Sequence, residues 1–212
     1  MFSRDRSWFE RHPLFVAYDL IGALLRVERD GMTASGRVVE VEAYAGPDDL
    51  ASHTGKYTSG RVSLFGEQGQ LYVHRSYGIH TLVNVVAHRA GEAGGVLFRA
   101  LEPLSGMEGM QLRRGDRARR LASGPGSLSQ AMDFRMDDNG VDLLTAPWVS
   151  VEVSTRQDSV LAGPRIGVSK GLSANWRLFD RASRHVSVHR RGTLVTHDDL
   201  RHMIPSIGTI IS

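Results

Sequence analysis

A single mixed α+β domain is the fold predicted for this chain, and three observations predict it. Its 212 residues suit one domain. Strand-like runs outnumber helical ones. The helical runs also group apart rather than alternating strictly with strands, which argues against a doubly wound sheet. With 41% hydrophobic and 23% charged residues the chain can bury a core and is not disordered by composition.

The elements follow in order. Pro13 opens a helix in the stretch FVAYDLIGALL, Phe15 to Leu25, which turns into a strand near Leu24–Val27. Gly36 to Tyr44 (GRVVEVEAY) alternates with the period of a half-buried strand. Gly69 to Arg75 and His80 to His88 read as two strands joined through Ser76-Tyr77-Gly78-Ile79 in a hairpin. Gly94 to Leu101 (GGVLFRAL) continues the sheet, with Pro103 expected to end it. Gly106 to Leu121 reads as helical, and Ser123-Gly124-Pro125 opens a helix through Met132. Trp148 to Thr155, Pro164 to Ser169 and Trp176 to Phe179 return to strand character. No linker or internal repeat divides the chain, so one domain over residues 1–212 is expected.

Composition excludes several classes. No apolar run approaches the ~20 residues of a membrane span, and the start MFSRDRSWFERH lacks the apolar core of a signal peptide. The absence of cysteine removes disulfide frameworks, zinc knuckles, iron–sulfur clusters and thiol nucleophiles, and suits a reducing compartment. Nine histidines include no H-E-x-x-H arrangement, so no metal and no cofactor is expected. Of 26 basic residues only Lys56 and Lys170 are lysines. Arginine's planar, permanently charged fork suits phosphate, which points toward a polyanion without establishing one. Arginine-rich runs at Arg113 to Arg120 and Arg177 to Arg191 could track a phosphate backbone or simply be solvated faces.

On a strand, residues two apart share a face. Val39, Val41 and Ala43 are thus expected on one side and Glu40, Glu42 and Tyr44 on the other, with Gly46-Pro47 placing an acid at the mouth of the strand. His53 falls in the loop ASHTGKYTSG, and Tyr72 shares a strand face with His74. Asn84 lies on the next strand and Arg99 on the face opposite Val96 and Phe98. Tyr77 at a hairpin tip is either a packing plug or a wedge that enters a base stack.

Taken together, these residues form a pattern. Glu40-Val41-Glu42-Ala43-Tyr44 with Gly46-Pro47-Asp48 and His53 resembles the E-x-E-A-Y-x-G-P-x-D…H signature of the alkyladenine (3-methyladenine) DNA glycosylase family, the methylpurine type. The resemblance continues through Leu71-Tyr72-Val73, Tyr77-Gly78, Asn84, Val96 to Pro103, Ser123-Gly124-Pro125 and Pro164-Arg165-Ile166-Gly167. It implies a curved, mostly antiparallel sheet with a protruding β-hairpin and surrounding helices. It also implies a monomer that flips alkylated or deaminated purines out of damaged double-stranded DNA and excises them without cutting the strand.

The resemblance distributes the roles. Glu42 matches the catalytic acid, Arg99 the arginine that helps hold the attacking water and the flipped nucleotide's phosphate, and the Ile166 carbonyl a third group around that water. Tyr44, His53 and His74 match the walls of the base pocket, and Asn84 the residue that crowds the 2-amino group of guanine. Tyr77 matches the intercalating tyrosine, while Glu40 has no assigned role and reads as structural. Family members commonly carry tyrosine at His74, and the T-P-R-N loop appears here as Thr58-Ser59-Gly60-Arg61. The alternative from the same fold is a catalytically silent lesion- or nucleic-acid-binding protein. A bacterial source would place the protein in the cytoplasm at the nucleoid, and a eukaryotic one in the nucleus. The hydrolytic reading expects an acid that is reachable rather than sealed in the interior.

Overall fold

His12 starts the first regular helix: its Nδ1 accepts the Leu14 amide proton at 3.2 Å and caps α1, Pro13–Leu20. Proline at the first helical position lacks only an N–H that the first turn leaves unused. The structure, a computed structural model, describes residues 5–46, 49–52, 64–115, 120–153, 159–188 and 191–205. Leu14, Val16, Ala17 and Leu20 are fully buried, so α1 is a core helix rather than an amphipathic surface one. Beyond it Gly22, at φ 86°, turns the chain and donates its amide to the Val38 carbonyl at 2.8 Å, locking the helix end onto the sheet.

Among the described residues nine strands form one sheet: β1 Leu24–Arg29, β2 Met32–Ala45, β3 Leu71–Ser76, β4 His80–Val86, β5 Gly94–Ser105, β6 Val149–Glu152, β7 Val160–Gly163, β8 Arg177–Asp180 and β9 Thr193–Leu194. The order is β3-β4-β5-β2-β8-β7-β9, with β1 paired to β2 and β6 to β1. The pairings among the described residues are antiparallel. Helices α2 (Met107–Arg114), α3 (Pro125–Ala131) and α4 (Asp199–Met203) complete the α+β domain. None of the described helices is long and apolar enough to cross a membrane.

One face of the central strands carries Leu71, Val73, Val83, Val85, Val96, Phe98, Val41 and Ala43, which join α1 in the main core. Each valine, leucine or phenylalanine among them contributes about 1.5–3 kcal/mol on burial. The other face carries the polar residues.

Four expectations change. The alternation in β2 reads as half-buried, yet Val38 through Ala43 are buried on both faces, because β8 closes the edge and the segments carrying Ile166 and Ser187 lie over the polar side. Val39 does not share a side with Val41: it is the extra residue of a bulge between Val38 and Glu40, and it packs with Ala100, Phe179 and Val186 in a separate cluster. Pro103 does not end its strand. Pairing shifts between Ser35/Gly36 and Ser105/Pro103, an irregularity where the missing N–H is tolerated, and β5 runs on to Ser105. Pro164 to Ser169 is not a strand, since β7 ends at Gly163 and the chain loops onward.

His12 gives the fold a pH dependence. Burial, helped by the Arg89 charge, lowers its ring from the ordinary 6.5 to about 4. Between these values the unfolded chain binds the proton and the folded chain does not, so its contribution is complete above about 6.5 and lost as pH falls toward 4. The loss amounts to about 3 kcal/mol. Urea unfolding of wild type and His12→Asn should show wild type losing about that much more stability between pH ~7 and ~4; parallel curves would reject it.

Candidate active site

The register of the sheet sets out the site. Tyr72 on β3, Asn84 on β4, Leu97 on β5, Glu42 on β2 and Arg177 on β8 are successive cross-strand partners, so one row on one face carries all five. Asn84 is two strands from Glu42, about 10 Å at a ~4.8 Å strand spacing. Arg99 is the extra residue of a second bulge, between the pairs Phe98–Val41 and Ala100–Glu40. Bulges re-aim side chains, and here the guanidinium meets both acids of β2.

Glu42 is fully buried and its carboxylate meets donors. Oε1 accepts the Ile166 amide proton at 2.7 Å, and Oε2 accepts the Tyr44 hydroxyl at 2.7 Å with Arg99 Nη1 at 3.2 Å. The acid is therefore closed off, against the expectation of a reachable one at a strand mouth. Its covers, Tyr44 and Ile166, are themselves half-buried, so it lies one residue deep. Burial and the Glu42 charge raise the Tyr44 hydroxyl well above the ordinary phenol value, which keeps it a donor. For Arg99 burial opposes the charge, but Glu42 and Glu40 outweigh it and raise the guanidinium further.

Ile166 meets Glu42 through its N–H. The loop holding it is pinned by Arg165, whose side chain is fully buried. Arg165 Nη1 donates to Asp49 Oδ2 (2.6 Å) and to the Ala43 carbonyl (3.0 Å); Nη2 donates to Asp49 Oδ1 (2.7 Å) and the Gly171 carbonyl (3.2 Å). Its guanidinium lies 4.9 Å from the Tyr44 ring centroid. Asp49 further accepts the Ala45 and Ala51 amides. This clamp received no role from the sequence, although Arg165 and the acid of G-P-x-D were both present in the motifs.

Across the row, Asn84 Nδ2 donates to the Tyr72 carbonyl at 3.1 Å and faces His74 Nδ1 at 3.4 Å, a bond when that nitrogen carries no proton. His74 stacks on Tyr72, with centroids 4.9 Å apart and planes 19° from parallel. Tyr77 sits at the β3–β4 tip in the left-handed region (φ 52°) and is 86% exposed, so it is no packing plug; Ile79 beside it is exposed as well. His53, Lys56 and Thr58-Ser59-Gly60-Arg61 lie outside the described residues. Of the basic runs, Arg177 is a fully buried partner of Glu40 rather than a surface charge, and Arg113 is spent on the Ala131 carbonyl.

A carboxylate ringed by donors thus shares one row with an asparagine on the sheet's polar face. Comparison with known proteins gives it a family. The chain matches the family described as Methylpurine-DNA glycosylase (MPG) over residues 7–184. A protein of Rhodopseudomonas palustris (strain HaA2) named "Putative 3-methyladenine DNA glycosylase" is 45% identical over 184 residues, covering 86% of this chain and 89% of its own. Proteins of the same name from Methanoculleus marisnigri and Chlorobaculum parvum are 42% and 38% identical, covering 85% and 88% of this chain and 96% and 91% of their own. The chain belongs to the methylpurine-DNA glycosylase family.

Proposed function

We propose that this protein is a monomeric, monofunctional DNA glycosylase of one domain over residues 1–212. It hydrolyses the N-glycosidic bond of alkylated or deaminated purines of the 3-methyladenine, hypoxanthine and ethenoadenine type in duplex DNA and leaves an abasic site. Tyr77 enters the helix as the nucleotide is flipped, at a cost of a few kcal/mol. Tyr44, with Arg165 on one ring face, offers the other face to the base, and His53, His74 and Asn84 complete the pocket. Glu42 takes a proton from water as its oxygen bonds the anomeric carbon, while the base departs with the electron pair of the broken bond. The carboxylate's charge opposes the cationic sugar that develops, and Arg99 and the Ile166 backbone hold the reacting groups. Because Glu42 is closed off, the Tyr44 hydroxyl must leave Oε2 before water can occupy that position.

The observation that carries the reading is the Glu42 carboxylate, ringed by donors in the same row as Asn84 and about 10 Å from it. Scarce amines support a reading without strand cleavage: Lys170 and Lys56 are the two lysines of the chain. Duplexes carrying one lesion each should break only after alkali, and borohydride should trap no enzyme–DNA adduct. Intact strands with every lesion would end the glycosylase reading, and efficient trapping would end the monofunctional one.

A further inference from the structure

We infer that Glu40 is a positioning residue for this reaction: by holding one edge of Arg99, it divides that guanidinium between two acids and leaves Glu42 free to accept a proton. The inference rests on the hydrolytic reading above.

Glu40 is fully buried, two residues from Glu42 on the same face of β2. Its Oε1 accepts Arg99 Nε at 3.2 Å, Arg177 Nη1 at 2.8 Å and the Ser187 hydroxyl at 2.9 Å; Oε2 accepts the Ser187 amide at 2.7 Å. Arg99 therefore uses Nε on Glu40 while Nη1 faces Glu42 at 3.2 Å. An acid serving only the fold would need no share in the guanidinium that touches the catalytic carboxylate.

The groups converging on the pair are Arg99 from β5, Arg177 from β8, Tyr44 from β2, the Ile166 amide with nearby Arg165 from the loop after β7, and Ser187. Within this cluster Arg99 and Arg177 balance Glu40 and Glu42. Burial works to raise the Glu40 carboxyl, but the Arg99 charge and the bonds from Ser187 and Arg177 outweigh it and hold it below the usual carboxylate range. Remove that charge, and two guanidiniums answer to one carboxylate. Glu42 is then stabilised as an anion and becomes a poorer proton acceptor.

The test is single-turnover excision by Glu40→Gln across pH, on a lesion duplex that wild type cleaves. The rate should fall by up to about tenfold, with lesion binding retained. The acid limb of the profile should move to lower pH by about one unit, since a base in a more positive setting ionises earlier. Glu40→Asp keeps the charge, so its limb should stay with wild type. A purely structural Glu40 would lower the melting temperature and leave rate and limb unchanged, which would overturn the inference. So would an Asp variant whose limb moves as far as that of Gln. If Gln does not fold, Ser187→Ala removes one donor from Glu40 and spares both arginines. A fall of about two- to fivefold then supports the link and an unchanged rate overturns it. Failure of wild type to excise any lesion would instead strike the hydrolytic reading itself.

Discussion

Glutamine in place of Glu42 is expected to lower the single-turnover excision rate by about 10³-fold or more, within the range a lost general base allows, while lesion binding changes little. Glutamine matches glutamate in shape but has one acceptor oxygen where Glu42 has two. Ile166 N–H and Arg99 Nη1 approach different oxygens of Glu42, so the new amide group must face one of these donors with its own N–H. That mismatch costs about 1–3 kcal/mol of stability, visible as a lower melting temperature in a protein that still folds. Binding should survive because Tyr77 and the Tyr72–His74–Asn84 group stand apart from the acid. The measurements are fluorescence anisotropy with a lesion duplex and a gel assay for alkali-labile sites. A variant retaining a tenth of the wild-type rate would remove Glu42 from the role of general base.

Local chemistry made much of this site legible. Alternation along β2 places Glu40, Glu42 and Tyr44 on one face, and that survives because the two bulges compensate: Val39 is extra on β2 and Arg99 on β5, so pairing returns to step at Val41 and Glu42. The bulges themselves carry no signal in a single strand, since each depends on the partner chosen. Pro125 at the start of α3 and Pro13 at the start of α1 act through their own backbone and were legible for that reason. The burial of Glu42 was not, because its cover comes from Ile166, 124 residues away. Pro164 to Ser169 resembles a strand by composition. Its path is set instead by Arg165, which reaches back to Asp49 and Ala43 and leaves the backbone to follow that bidentate pair.

Removing the Asp49 carboxylate should destabilise the fold by about 3–5 kcal/mol, the usual effect of stranding one member of a buried ion pair. Arg165 would keep only the Ala43 and Gly171 carbonyls, two neutral acceptors for a guanidinium with no exposed side-chain surface. The loop after β2 would also lose its tether, since Asp49 accepts the amides of Ala45 and Ala51. The damage should reach the chemistry by two routes: Arg165 backs the Tyr44 ring, and its neighbour Ile166 holds Glu42. Asp49→Ala is therefore expected to lower excision as well as the urea midpoint, even at temperatures where the variant is folded. Arg165→Met separates the two contributions. In the double variant no buried charge remains unpaired, so its stability should recover by about 1–3 kcal/mol relative to the sum of the single losses. Excision should not recover with it, because a thioether neither backs Tyr44 with a cation nor fixes the loop. A double variant as unstable as the two losses added together would show that Asp49 and Arg165 act independently, and the clamp would lose its claim to position Ile166.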